Sequence, residues 1–170
     1  EGGKADDMHA QQRTASGAAA RRVAILADSA CDLPDALIEA HNIHVVPLRV
    51  NFGEQDFLDK VGLGTGDFYA RMRDSAVLPR TSQPPPGDFR RQMEFLLSHS
   101  PSLVYVGLSR AVSGTLQSAE TAAARTDARR TRVVDSANAS GGLALLALRA
   151  AELAGEGRDA DAIVAELERL

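Results

Sequence analysis

Residues 23–41 read VAILADSACDLPDALIEAH, and the first six of them decide the fold class. VAILAD is apolar at five successive positions, with no alternation. A strand with one wet face alternates between apolar and polar residues. A strand buried on both faces reads as a continuous apolar run. Small polar residues come next, and then PDALIEAH, an expected helix with Pro34 in its first turn. Strand, polar turn and helix in that order form the repeating unit of a parallel sheet covered by helices.

The unit recurs down the chain. SLVYVGLS at 102–109 is a second continuous apolar run, followed by the helical pattern SGTLQSAETAAAR at 113–125. RTRVVDS at 130–136 and ASGGLALLALRAAELAG at 139–155 repeat the pair. IHVVPLRVNF at 43–52 reads as one further strand, with Pro47 placing it at an edge or at a bulge. GTGDFYARMRD at 64–74 reads as a short helix capped by Thr65, and GDFRRQMEFLLSH at 87–99 as a longer one. The expectation is an α/β domain over 23–155, a mostly parallel sheet with helices on both faces. Residues 1–22 are small, polar and aperiodic, and read as a disordered tail or linker. Residues 156–170 read as the start of a further helix leading toward a second domain, and the pattern runs to the C-terminus.

Composition narrows the function classes. The 170 residues carry 19 Lys and Arg against 23 Asp and Glu, a net charge of -4. Phosphate backbones call for a concentrated basic face, and base stacking calls for aromatic platforms. With aromatics at 4% and no Trp, nucleic acid is not an expected partner. The single cysteine, Cys31, leaves no internal disulfide framework and fits a reducing compartment. No apolar run reaches the length of a membrane span, so an integral membrane protein is not expected and a cytoplasmic location is. The histidines at 9, 41, 44 and 99 do not pair with a Cys or a carboxylate at metal-ligand spacing, and no metal is expected.

In open parallel sheets, ligands bind outside the carboxyl ends of the strands. The loops expected there read ADSACD, TSQPPPGD, LSRAVSGT and VDSANASGG, and each carries small hydroxyl residues. A helix start offers unpaired N–H groups and a partial positive charge, which suits a carboxylate or phosphate. Ser113 stands where it caps the helix behind it, with Gly114 leaving room for close approach. The three prolines at 84–86 stiffen their loop and hold Thr81 and Ser82 in a set geometry. Asp28 and Ser29 stand on the same edge after the first strand. Hydroxyl and Asp residues ahead of helices are also what plain caps look like. A second reading comes from VGLSRA at 106–111, a strand followed by a degenerate nucleophile elbow. It makes the chain a serine hydrolase, esterase-like, with Ser109 or Ser113 as nucleophile. A third is an interaction or scaffold unit with no ligand.

Five of these segments, in order, resemble the DegV family of bacterial fatty-acid-binding proteins. They are ADSACDLP, IHVVPLRVNFGEQDFLD, RTSQPPPGDF, LSRAVSGTLQSA and VVDSANASGGLALL. RTSQPPPGDF is the most specific, through its Thr-Ser-Gln-Pro. The resemblance implies a long-chain fatty acid such as palmitate as ligand, held in a tunnel between two domains, and no cofactor. It implies Thr81 and Ser113 as hydrogen-bond partners of the carboxylate, with Ser82 and Gly114 adjacent and Asp28 and Ser29 along the same edge. It implies a binding protein rather than an enzyme. A partner fatty-acid kinase, related to dihydroxyacetone kinases and either separate or fused, makes the acyl phosphate. This chain departs from the pattern at Pro85 and Pro86, and at Arg110, where the family is usually small. The family also runs to nearly twice this structured length, so its second domain is expected to be absent or truncated here.

Overall fold

A computed structural model describes residues 22–170, so the tail or linker expected at 1–22 lies outside the described residues except for Arg22. The chain begins with β1 (Val23–Asp28), one turn of 3-10 helix (Ser29–Cys31), α1 (Asp35–His41) and β2 (Ile43–Val46). It continues through β3 (Arg49–Phe52), β4 (Gln55–Leu58), α2 (Thr65–Asp74), β5 (Arg80–Ser82) and α3 (Pro86–His99). It closes with β6 (Ser102–Gly107), α4 (Thr115–Thr126), β7 (Thr131–Asp135), α5 (Ser140–Gly155) and α6 (Ala160–Leu167).

Four strands form a parallel sheet in the order β2-β1-β6-β7. Every residue of β1 is buried, as its unbroken apolar run requires. Its alternate residues feed two cores. Val23, Ile25 and Ala27 meet Leu143, Ala147, Ala150 and Ala151 of α5 on one face. Ala24 and Leu26 share the other core with Phe89, Met93 and Leu96 of α3 and with Leu116, Ala119 and Ala122 of α4. The α3 residues recur at helical spacing, so one stripe faces the sheet and the rest stays wet. Helices therefore cover both faces, as expected.

A second sheet was not expected. β3, β4 and β5 form an antiparallel sheet in the order β4-β3-β5. The segment 43–52, read as one strand, is two strands in two sheets. Pro47 has no N–H to give a ladder, and the Leu48 N–H is taken by Ser29 Oγ at 3.0 Å. The chain leaves the parallel sheet there. β3 and β4 make a hairpin whose turn begins at Gly53, with φ of 61°. β4 is short and half polar, without the pattern that marks a buried strand. Residues Arg80–Ser82, read as part of a loop, pair with β3.

One cap here also differs from expectation. Thr65 is the first residue of α2, and Gly64 is its N-cap without a side-chain bond. Gly64 already has extended dihedrals, so the helix starts one residue earlier than a Thr65 cap allows. α6 ends at Leu167, and Ala160, Ile163 and Leu167 are buried in the same core as β1 and α5.

Candidate functional site

The parallel sheet has its switch point between β1 and β6. From β1 the chain crosses to β2 on one side, and from β6 it crosses to β7 on the other. The loops after β1 and β6 diverge at that point, the place at the carboxyl edge where ligands of such sheets bind. Asp28, the last residue of β1, lies buried beneath them. Its carboxylate accepts from Tyr105 Oη at 2.7 Å, from Leu108 N at 2.8 Å and from Ala30 N at 3.1 Å. It has no exposed surface. Burial pushes the Asp28 carboxyl above its ordinary value, against the pull of those three donors. Burial and the neighbouring Asp28 push the Tyr105 hydroxyl well up in turn. Ser29 is equally enclosed, with its Oγ on Leu48 N. Both residues stand on the edge where the sequence puts them, and both are spent on holding it together.

The loop after β6 is wound tightly. Ser109 carbonyl oxygen accepts from Val112 N at 3.1 Å and Ser113 N at 3.2 Å, and Ser109 Oγ accepts from Ala111 N at 3.2 Å. The Ser109 N–H bonds Asn138 O in the neighbouring loop at 3.0 Å. Arg110 spans Asp135 at 3.3 Å and Glu120 at 2.7 Å, so the residue that departs from the family pattern braces the loop from outside. Ser113 sits one position before the N-cap of α4, which is Gly114 rather than Ser113. Its Oγ still accepts from Thr115 N, at 3.2 Å, and lies 2.9 Å from Thr115 Oγ1. Hydroxyl and helix start are thus joined, as the sequence suggests, with the cap shifted by one residue.

Thr81 and Ser82 come from β5, on the second sheet. Register places Thr81 beside Val50, which also faces Phe57, while Ser82 stands beside Arg49. Neighbouring residues of a strand point to opposite faces. The two adjacent hydroxyls therefore serve different faces, and Thr81 has the apolar one. Among the described residues neither hydroxyl has a protein hydrogen-bond partner, and both are exposed. Pro84 is buried and Pro86 is the first residue of α3, where its fixed φ suits a helix start.

Gln83 joins the two segments. A Cβ on Gly114 would stand 2.2 Å from Gln83 Oε1, so the Gln83 amide lies directly on the Gly114 backbone. Only glycine admits that approach. Gln83 belongs to the Thr-Ser-Gln-Pro stretch, yet its role is visible only once the two sheets are placed.

The hydrolase arrangement gains nothing here. Ser109 is 8% exposed. His41 precedes β2 and His99 precedes β6, at the amino edge of the sheet, and His44 lies within β2. Among the described residues no histidine is bonded to Ser109 or Ser113, and no cluster of His, Cys, Asp and Glu could hold a metal. Among them, too, no helix is long and apolar enough to cross a membrane.

A family model described as an uncharacterised protein, DegV family, matches residues 22–170. The chain belongs to the DegV family. A DegV domain-containing protein of Caldanaerobacter subterraneus is 35% identical over 143 residues, covering 84% of this chain and 51% of that protein. Two solved structures are similar in both sequence and shape. One is a DegV family protein from Thermus thermophilus described for its fatty acid binding, at 38% identity and a TM-score of 0.80, covering 87% of this chain and 52% of that one. The other is DegV from Bacillus subtilis, described as a fatty acid binding protein, at 32% identity and a TM-score of 0.82, covering 88% of this chain and 53% of that one. This DegV chain thus spans about half the length of the relatives it matches.

Proposed function

We propose that this chain binds a long-chain fatty acid at the carboxyl edge of its parallel sheet and presents the carboxylate to a partner fatty-acid kinase. Thr81 and Ser113 donate hydrogen bonds to the carboxylate, with Ser82 and Gly114 adjacent. Asp28 and Ser29 shape the edge from below. The chain itself performs no chemistry, and the kinase, of the dihydroxyacetone-kinase-like class, makes the acyl phosphate. The supporting observation is the Gln83–Gly114 contact. It draws together the two segments that carry these hydroxyls, in a fold similar to two structures described as fatty-acid-binding.

The chemistry suits the ligand. Hydroxyl donors beside a helix start stabilise a carboxylate without an ion pair that would compete with later phosphorylation. Thr81 stands beside Val50 at the margin of the apolar cluster of the second sheet, which Val50, Phe52, Leu63, Phe57 and Phe68 already fill. About fifteen methylenes at ~0.8 kcal/mol each contribute on the order of 12 kcal/mol before the cost of immobilising the ligand.

Native mass spectrometry of the purified chain, followed by gentle activation, tests the ligand. A released species at the mass of a long-chain fatty acid is expected, and Thr81→Ala should weaken added palmitate by about tenfold. Unchanged palmitate affinity in Thr81→Ala would overturn the site. Adding a kinase of the named class with ATP should yield acyl phosphate, trapped as the hydroxamate. No hydroxamate from a chain loaded with palmitate would overturn the presenting role alone.

A further inference from the structure

Ser113 and Thr115 form a hydroxyl pair whose direction the surroundings determine. The two oxygens are 2.9 Å apart, and distance alone leaves either one free to donate. Burial removes the ambiguity. Thr115 is 0% exposed, while Ser113 is half-buried and reaches solvent. Among the described residues, Ser113 Oγ is the only hydrogen-bond partner of Thr115 Oγ1. If Ser113 donated to Thr115, the Thr115 proton would be left in the interior without an acceptor. A buried donor without an acceptor loses its whole hydration in exchange for nothing. With the opposite direction Thr115 donates to Ser113, and the Ser113 proton turns outward.

Ser113 Oγ then has both lone pairs occupied. One accepts the Thr115 N–H at 3.2 Å and the other accepts the Thr115 hydroxyl. A serine hydroxyl has one donor and two acceptor sites, so only the donor remains. A lone serine on the surface can turn to accept or to donate. This one can only donate.

We infer that Thr115 is a positioning residue that makes Ser113 a fixed donor, so the site takes an ionised carboxylate in preference to a head group that itself donates. The inference rests on the fatty-acid reading of this edge and names the ionisation state of the head group it admits. Donors whose orientation is set before binding cost no reorganisation when the anion arrives. Thr115 does this from beneath the site, without touching the ligand.

Two measurements on the 170-residue chain separate the parts. The first needs no ligand. Hydrogen–deuterium exchange of the two hydroxyls is followed by the isotope shift on each labelled Cβ. The Thr115 hydroxyl should exchange slowly and the Ser113 hydroxyl fast. The reverse order, or equal rates, overturns the assigned direction. The second is a titration with octanoate and with octylamine, followed at the backbone amides of Gly114 and Leu116. Octanoate should shift both amides and octylamine neither. Thr115→Val, which keeps the shape and removes the hydroxyl, should weaken octanoate by roughly three- to tenfold, and Thr115→Ser should restore it. Equal octanoate affinity in Thr115→Val overturns the positioning role. If the exchange pattern holds and octanoate shifts nothing in the unmutated chain, the fatty-acid reading of this edge fails and the hydroxyl direction stands.

Discussion

Gly114→Ala is the substitution that best separates the site from the fold. The added methyl would lie 2.2 Å from Gln83 Oε1, 2.9 Å from its Cδ and 3.0 Å from its Nε2. All three atoms are the far end of one exposed, flexible side chain, so Gln83 swings away and the backbone stays. Gly114 has φ of -76° and ψ of 2°, which an L residue adopts without strain. Stability should therefore change by less than about 0.5 kcal/mol, helped by the smaller entropy of alanine in the unfolded chain. The contact that draws β5 to the start of α4 is lost, however. The few van der Waals contacts of the amide contribute about 0.1–0.2 kcal/mol each, on the order of 0.5 kcal/mol together, which corresponds to about twofold weaker fatty-acid binding. Thermal unfolding and a palmitate titration on the same preparation read the two quantities. Unchanged affinity would refute the claim that Gln83 aligns the two segments. A large drop in melting temperature would refute the claim that its side chain is free to move.

Gly107→Ala should do the opposite. Its methyl would meet Tyr105 Cε1 at 2.6 Å and Leu116 Cδ1 at 2.7 Å, both on fully buried side chains. The Tyr105 ring is pinned through its hydroxyl, so the overpacking should cost about 1–3 kcal/mol in urea unfolding; an unchanged midpoint would show that the ring can shift. Tyr105→Phe takes a donor from the enclosed Asp28 carboxylate and should cost about 1–3 kcal/mol, measured the same way, with the loss shrinking in an Asp28→Asn background. The pH profile should carry a signature of Asp28. Its folded pKa is raised above the ordinary 3.8, so the folded state holds the proton longer than the unfolded state does. The contribution is fully present below 3.8 and is lost as pH rises through the folded value. Urea midpoints across that window should fall in the unmutated chain and stay flatter in Asp28→Asn; parallel profiles would show that Asp28 titrates as an ordinary carboxyl.

The parallel sheet was legible from residues alone because its information is local. VAILAD and SLVYVG are long enough, and apolar enough, that burial on both faces is their only favourable state, and the helices between them carry a clear stripe. Three of the four hydroxyl loops, after β1, β6 and β7, followed from the same reading, while TSQPPPGD starts in β5 of the second sheet. The antiparallel sheet was not legible. Its strands have three or four residues each, too short for a period to show, and Arg80–Ser82 becomes a strand only because β3 lies beside it.

The rest belongs to the tertiary structure. Asp28 and Ser29 stand in the sequence as residues lining the site edge, and the placement of β6 and Leu48 makes them internal anchors. Thr81 and Ser82 look like a pair, and pairing with β3 sends them to opposite faces. Gln83 meets Gly114 across 31 positions of sequence, and nothing near either residue announces the other. Local sequence determined which segments become helices and buried strands, because propensity and burial act within a few residues. Which polar groups are spent on the fold and which remain for a ligand was decided by contacts between distant segments, where each hydrogen bond depends on a partner that only the folded chain supplies.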